Sequence, residues 1–231
     1  MVYTFSVIIP VLRESASING TIDHLRNLGK GESLEIIVVD GSPEGDTIAA
    51  IVDRDVKRLV AGRGRALQMN RGAAHAAGTV LLFLHADTIL PGKAFHHIRS
   101  ALSADSTVAG AFDLGMDSPR LSLKIIAKMA SIRSRVTRTP YGDQAQFFRR
   151  GCFDALEGFR DLPVMEDVDI MRRIKKRRER IHIIAQRVKT SPRRWEREGL
   201  FRCTLRNWLL ISLYYLGARP KTLARYYRFG T

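Results

Sequence analysis

The sequence has only two cysteines, Cys152 and Cys203, which lie far apart and lack the spacing of a metal site. This pattern argues against a disulfide framework and is typical of reduced thiols in a cytosolic protein. No stretch approaches the roughly 18 apolar residues that a membrane-spanning helix requires. The first residues show no basic segment followed by a cleavable apolar stretch, so we expect no signal peptide and a cytoplasmic location.

Acidic residues are scarce as well. The chain of 231 residues has 23 Asp and Glu against 38 Lys and Arg, a net charge of +15. Its length favours one large domain, and its charge favours polyanionic partners such as nucleic acid, an anionic membrane surface or a nucleotide diphosphate. Because the basic residues are spread over loops and helix ends, without interleaved aromatics on a sheet, we expect no nucleic-acid partner.

Short apolar runs alternate with helical patterns along the chain. Runs at 5–11, 34–40 and 80–84 have the composition of strands buried on both faces. The alternation predicts an α/β fold with a mostly parallel central sheet flanked by helices. Residues 200–216 predict a helical C-terminal segment that packs on the core or lies on a membrane. The remaining predictions include a basic amphipathic surface helix at 121–133, a short strand at 181–185 and a loop at 191–195.

Two of these strands end in acidic residues. Asp40 ends the second strand, and His85 and Asp87 follow the run at 80–84. Ligands of open parallel sheets bind at the carboxyl ends of the strands, where Asp87 could hold a divalent cation against a diphosphate. Asp40 could contact a base or ribose in the same place. The alternative is that each carboxylate only caps a turn or a helix.

A glycine-containing segment precedes the third of these runs. Gly62 and Gly64 begin a dinucleotide-binding pattern, but Leu67 stands where its third glycine belongs, so that motif fails. Arg63 and Arg65 still lie at the start of a helix, where guanidinium groups and backbone amides can meet an anion.

Three acids crowd the start of a later helix, at Glu166, Asp167 and Asp169. Acids in a first turn complement the helix dipole, which explains part of the pattern. Carboxylates this close repel one another, and such crowding is typical of sites that bind a cation or move a proton.

Taken together, five segments resemble the family 2 glycosyltransferases, which have a GT-A fold. They are Ser6-Val7-Ile8-Ile9-Pro10, Val38-Val39-Asp40-Gly41-Ser42, the stretch from Gly64 to Gly78, His85-Ala86-Asp87 and Glu166-Asp167. A narrower resemblance is to small bacterial members assigned to arsenosugar biosynthesis. It rests on the Tyr-Gly-Asp-Gln, Glu-Asp-Val-Asp and Arg-Arg-Trp segments at 141–144, 166–169 and 193–195.

The resemblance implies a hexosyltransferase-type enzyme that uses a nucleotide-diphosphate sugar, in a single domain over residues 1–231. Residues 1–110 would bind the donor, and residues 111–231 would face an acceptor, either lipid-linked or a small molecule. It places Pro10 and Glu14 in the nucleotide pocket, Asp40 against the base and Arg65 near the phosphates.

The resemblance also implies a divalent metal, Mg or Mn. His85-Ala86-Asp87 occupies the position of the family's Asp-x-Asp motif, with Asp87 as the metal ligand and His85 in place of the first acid. Asp167 matches the general base of a single displacement with inversion, and Glu166 lies beside it, with Asp169 as a further alternative. Asp143 is a candidate contact to the donor sugar or the acceptor.

Arg193, Arg194 and Trp195 resemble the Gln-x-x-Arg-Trp segment of processive members. Ser191 stands at the Gln position, which argues against processivity. We also expect peripheral contact with the anionic inner face of a membrane. Two other functions stay open at this stage, a nucleotidyltransferase and a basic binding protein. The first usually has a glycine-rich loop after strand 1, where this chain has Val11-Leu12-Arg13-Glu14.

Overall fold

A computed structural model describes residues 3–227, apart from the side chain of Arg194. The strands are β1 (Phe5–Val11), β2 (Leu34–Asp40), β3 (Lys57–Val60), β4 (Val80–Phe83), β5 (Thr88–Ile89), β6 (Thr107–Met116), β7 (Phe147–Arg149) and β8 (Arg180–Thr190). The helices are α1 (Ile18–Leu28), α2 (Asp46–Ala49), α3 (Arg65–His75), α4 (Ala94–Ala101), α5 (Leu121–Thr137), α6 (Arg150–Ala155), α7 (Glu166–Lys176), α8 (Arg193–Glu198), α9 (Leu200–Tyr215) and α10 (Pro220–Tyr227).

All eight strands belong to one sheet in the order β3-β2-β1-β4-β7-β6-β8-β5. The first four are parallel to one another, and β8 is parallel to β6. β7 runs antiparallel to both β4 and β6, and β5 runs antiparallel to β8. The predicted α/β fold is therefore confirmed. The sheet is mixed, because β7 and β5 run antiparallel to their neighbours.

The core lies on both faces of this sheet. Along β1, the side chains of Phe5, Val7 and Ile9 enter one apolar cluster and that of Ile8 enters the other. Helices α1, α4 and α5 cover the first face, and α3, α6 and α7 cover the second. Burial on both faces explains why these strands read as continuous apolar runs instead of alternating ones.

The approach of α3 to the sheet depends on Gly72. A Cβ placed there would lie 2.5 Å from Ile8 Cγ2 and 3.1 Å from Val39 Cγ2. Glycine therefore lets the helix that begins at Arg65 pack closely over β1 and β2.

The predicted elements differ from the structure mainly after residue 180. The strand predicted at 181–185 is part of β8, which continues to Thr190. Exposed polar side chains at 186–187 interrupt the apolar pattern of its second half, which resumes pairing with β6 after a register shift next to Phe112. The loop predicted at 191–195 contains the start of α8, because Pro192 is compatible with a helix N-terminus.

The C-terminal segment predicted at 200–216 is α9, which packs on the protein with one face. Cys203, Leu210 and Tyr214 are buried on that face. Leu210 and Tyr214 share a small cluster with Val168 of α7 and Leu223 of α10. Within residues 3–227, no helix has the length and apolarity needed to cross a membrane.

Candidate active site

The carboxyl ends of β1, β2 and β4 meet at one edge of the sheet, because these strands are parallel neighbours. Asp40 ends β2, while His85 and Asp87 follow β4. Pro10 of β1 lies opposite Val39 at the same edge. The structure therefore brings these predicted residues to one rim, where open α/β sheets bind ligands.

Asp40 is fully buried at this rim. Its Oδ1 accepts a hydrogen bond from the Ser42 amide at 2.9 Å, and its Oδ2 accepts one from the Thr47 amide at 3.0 Å. The first bond is the Asx turn that the sequence offered as an alternative. Asp40 thus holds the loop after β2 in one conformation, and its contact with a base stays a prediction.

Asp87 and Glu14 share a cation. Arg193 Nη2 lies 3.8 Å from Asp87 Oδ2 and 3.6 Å from Glu14 Oε2. Burial and the charge of Glu14 raise the pKa of Asp87, against the opposing effect of Arg193. The two carboxylates therefore form a cation-binding position, held in this structure by a guanidinium group.

Arg194 and Trp195, which follow Arg193 in the chain, have different surroundings. Trp195 is half-buried against the main core cluster, and its Nε1 is buried without a hydrogen-bond acceptor among the described residues. The side chain of Arg194 lies outside the described part of the chain.

Arg65 is the electrostatic centre of the site. It begins α3, directly after Gly64 with φ 152°. Burial raises the pKa of Asp87, Asp143, Glu166 and Asp167, and the positive charge of Arg65 opposes that rise; the same charge adds to burial in lowering the pKa of His85. The predicted position near an anion is therefore surrounded by acids in the protein itself.

His85 is neutral. Burial and the charge of Arg65 lower its pKa to about 3. Its ring thus supplies a hydrogen-bonding group at the position where the family's motif has a first carboxylate.

The two acids at the start of α7 are held differently. Asp167 Oδ2 accepts a hydrogen bond from the Gly142 amide at 2.7 Å, and Oδ1 accepts one from the Val168 amide at 2.8 Å. Burial raises the pKa of Asp167, and these two amides partly oppose that effect. Burial and the neighbouring charge of Asp167 also raise the pKa of Glu166, which is only 6% exposed. This is the arrangement expected of a proton-transfer site.

Asp143 lies in a 3-10 turn at Gly142–Gln144. Burial and the charge of Asp167 raise its pKa to about 6. Its Oδ1 is buried and has no hydrogen-bond partner within residues 3–227. A buried acceptor without a partner is costly, so this oxygen is suited to a donor group from a bound ligand.

Asp169 does not belong to this cluster. Arg173 Nε donates to it at 2.8 Å, Arg160 lies 3.5 Å away, and the Tyr214 hydroxyl donates at 3.3 Å. It therefore fixes α7 to its neighbours, and the alternative of Asp169 as the base finds no support in this placement.

Sequence reasoning gave no role to several residues that position the acids. The Gly142 amide donates a hydrogen bond to Asp167. Gln144 is buried and donates to the Phe112 carbonyl at 2.8 Å, which anchors the turn. The Arg133 guanidinium lies 3.6 Å from the centre of the Tyr141 ring, and its charge opposes the rise that burial causes in the pKa of Asp143. The Tyr-Gly-Asp-Gln segment contained the only sequence signal, and nothing pointed to Arg133 on the preceding helix.

Two surface cavities, of about 340 and 590 Å³, lie elsewhere on the molecule. Both are lined by Ala155 and Arg177, and neither includes a predicted site residue. Neither cavity contains the cluster of perturbed acids, which we take as the candidate functional site because of its chemistry.

The sequence of residues 6–158 matches the model of the glycosyl transferase family 2. This stretch is more than half of the chain, so the protein belongs to glycosyltransferase family 2. Among curated proteins, none matches the sequence.

Solved structures share the fold. A mannosyltransferase from Pyrobaculum calidifontis, in complex with GDP-Man and Mn²⁺, has a TM-score of 0.66 at 19% identity over 99% of this chain and 70% of that one. Glucosyl-3-phosphoglycerate synthase from Mycobacterium tuberculosis, in complex with Mn²⁺, UDP and phosphoglyceric acid, has a TM-score of 0.59 at 16% identity over 80% and 69%. TarS from S. aureus (residues 1–349), in complex with UDP, has a TM-score of 0.61 at 15% identity over 81% and 60%. The GT-A fold expected from the sequence is thereby confirmed, and the arsenosugar resemblance stays a prediction.

Proposed function

We propose that the enzyme transfers a hexosyl group from a nucleotide-diphosphate sugar to an acceptor hydroxyl, with inversion at the anomeric carbon. The observation that supports this most is the convergence of Arg65, Asp87 and the acid pair Glu166–Asp167 at one edge of the sheet. Transfer leaves a nucleotide diphosphate, so the reaction needs cationic groups at the leaving phosphate and a carboxylate at the acceptor.

Arg65 and Asp87 serve the phosphates in this proposal. Nucleotide and Mn²⁺ or Mg²⁺ accompany the related structures, and we extend both to this chain. No group of three His, Cys, Asp or Glu within residues 3–227 could cage a metal. This fits a hard cation that takes one or two protein carboxylates and completes its shell with substrate phosphates.

Asp87 and Glu14 fit such a cation, because a guanidinium group already occupies the space between them. The metal, when bound, neutralises negative charge that develops on the leaving diphosphate. Arg193 would then pair with the phosphates, which are a better partner for its fork of donors than isolated carboxylates at more than 3.5 Å.

Asp167 is the proposed general base. Burial raises its pKa and so makes the ionised form a stronger base than a solvent-exposed carboxylate, while its hydrogen bonds from Gly142 and Val168 favour the ionised form. Asp143 would accept a hydrogen bond from a hydroxyl of the donor sugar or of the acceptor through its unpartnered Oδ1. Pro10 and Asp40 would line the base pocket, and the acceptor would be lipid-linked or a small molecule.

Thermal shift against nucleotide diphosphates and nucleotide sugars, with and without Mn²⁺, tests the donor. A ligand at a hundredfold excess over its Kd stabilises the fold by about 2.7 kcal/mol. We expect a metal-dependent shift with one nucleotide, lost in Asp87→Ala and kept in Asp161→Ala, the same change at an exposed carboxylate. No shift with any nucleotide, or an unchanged metal-dependent shift in Asp87→Ala, would contradict the proposal.

A further inference from the structure

Two helical parts of the chain contain no acid at all. Residues 120–138 include six Lys and Arg, and residues 199–227 include five, without a single Asp or Glu in either stretch. The other parts of the chain therefore hold all 23 acids. Arg120, Arg135 and Arg206 pair with acids of other segments, and the remaining cations of α5, α9 and α10 favour a negatively charged surface.

The same helices expose apolar side chains in ordered stripes. On α5 these are Leu121, Ile125, Met129, Ile132 and Val136, exposed by 47–78%. On and just beyond α9 they are Phe201, Leu205, Trp208, Leu209, Tyr215 and Leu216, exposed by 47–92%. At 3.6 residues per turn, the first set spans an arc of about 80° and the second about 120°. Each helix thus has two apolar faces. One is buried against the core, and the other is the stripe exposed at the surface.

Contacts near both of their ends bring α5 and α9 to the same part of the molecule. At one end, Arg120 before α5 lies 3.9 Å from Glu196 of α8, the helix that leads into α9. At the other end, Arg133 of α5 stacks on Tyr141, which packs against the cluster that contains Leu210 and Tyr214 of α9. We call this part of the surface, defined by the residues of the two stripes, the α5–α9 face.

Lysines flank the stripe on α5. Lys124 and Lys128 are exposed and lie one helical turn apart on the same edge of the stripe. Long lysine side chains can keep their charge at lipid headgroups while their stems cover apolar surface. On α9 the stripe includes Trp208 and Tyr215, the residue types that favour the boundary between lipid and water.

We propose that the α5–α9 face docks on the surface of an anionic lipid bilayer. The apolar stripes enter the headgroup boundary, and the flanking cations pair with lipid phosphates. A second copy of the chain is a poorer occupant, because two faces without acids would bring like charges together.

Sedimentation with lipid vesicles tests this on the full chain. We expect binding to phosphatidylcholine vesicles that contain phosphatidylglycerol, weaker binding at high salt, and little binding to phosphatidylcholine alone. Phe201→Ser with Leu205→Ser should lower the partition coefficient by at least about tenfold, because two large apolar side chains no longer enter the boundary. Lys124→Gln with Lys128→Gln should lower it by roughly tenfold at low salt.

Val52→Ser is the matched control, since Val52 is 78% exposed but lies outside the face. Circular dichroism of each variant confirms folding, and a blue shift of tryptophan fluorescence on anionic vesicles that Trp208→Phe removes reports insertion of Trp208. Equal loss in Val52→Ser, or equal binding to both vesicle types, would overturn the proposal. A second outcome would also overturn it: the chain does not bind vesicles, and light scattering shows a dimer that Phe201→Ser converts to a monomer. The face would then bind a second copy of the chain.

Discussion

The carboxylates of the site lie in two regions whose electrostatic surroundings differ. Around Asp87 and Glu14, a guanidinium lies between the acids and compensates their charge. Around Asp143, Glu166 and Asp167, the acids face one another, and burial raises the pKa of each. A region of compensated charge is suited to hold a charged ligand, whereas a region of crowded acids is suited to move a proton.

Asp167→Asn should have the largest effect, because it changes the acid region and leaves the region around Asp87 intact. The amide keeps the shape but cannot take a proton, so we expect kcat to fall by roughly 10²- to 10⁴-fold while donor binding is kept. Turnover with the donor identified by thermal shift measures the first quantity, and the thermal shift itself measures the second. Asp161→Asn serves as the control, and normal turnover in Asp167→Asn would refute the assignment of the base.

Gly142→Ala should disturb the acid region without removing any charge. A Cβ there would lie 3.1 Å from His85 Nε2, so either the His85 ring or the turn must move by a few tenths of an ångström, whereas its 3.5 Å distance from Asp167 Oδ2 is an ordinary contact. Displacement of a catalytic group can lower the rate by as much as about 10²-fold. We expect a lower kcat and a displaced pH profile, because the amide that helps to ionise Asp167 shifts with the turn.

Gly151→Ala is the matched control for that change, since a Cβ at Gly151 meets no atom within 4 Å. A Gly142→Ala enzyme with the rate and pH profile of the parent would show that the turn does not position Asp167.

Asp169→Asn separates a structural acid from the proposed catalytic acids on the same helix. It leaves Arg173, whose side chain is 14% exposed, without its ionised partner at 2.8 Å. We expect the free energy of unfolding to fall by about 2–4 kcal/mol, as for a broken ion pair with little solvent access. Denaturant unfolding measures this loss. Turnover of the folded fraction should stay at the parent level, and a loss comparable with Asp167→Asn would place Asp169 in the site after all.

The sequence predicted the first region better than the second. Strand-end acids such as Asp40 and Asp87 are local features, because a parallel strand places its last residue at the rim whatever the other elements do. The fold could be predicted for the same reason, since buried strands and amphipathic helices have local sequence patterns.

The second region depends on contacts between distant parts of the chain. The amide of Gly142 meets Asp167 across 25 positions, and Arg133 reaches Tyr141 from α5. No local pattern tells Asp167 from Asp169, which differ only in which neighbours the tertiary structure brings to them. The exposed stripes of α5 and α9 were likewise visible as apolar spacing, but their exposure depends on which face packs on the core.

Asp143→Asn gives the smallest expected effect and tests the repulsion within the acid region directly. Burial and Asp167 raise the pKa of Asp143 from 3.8 to about 6, so the folded state binds a proton that the unfolded state has already lost. This group therefore favours folding below about pH 4, and its contribution is lost as the pH rises towards about 6. Asn cannot ionise, so the variant should be more stable than the parent by up to about 3 kcal/mol at pH 7 and equally stable near pH 4. Urea unfolding across this range measures the difference. A variant that is less stable at pH 7 would mean that the ionised carboxylate is compensated, and the two regions would then not differ in the way that their geometry indicates.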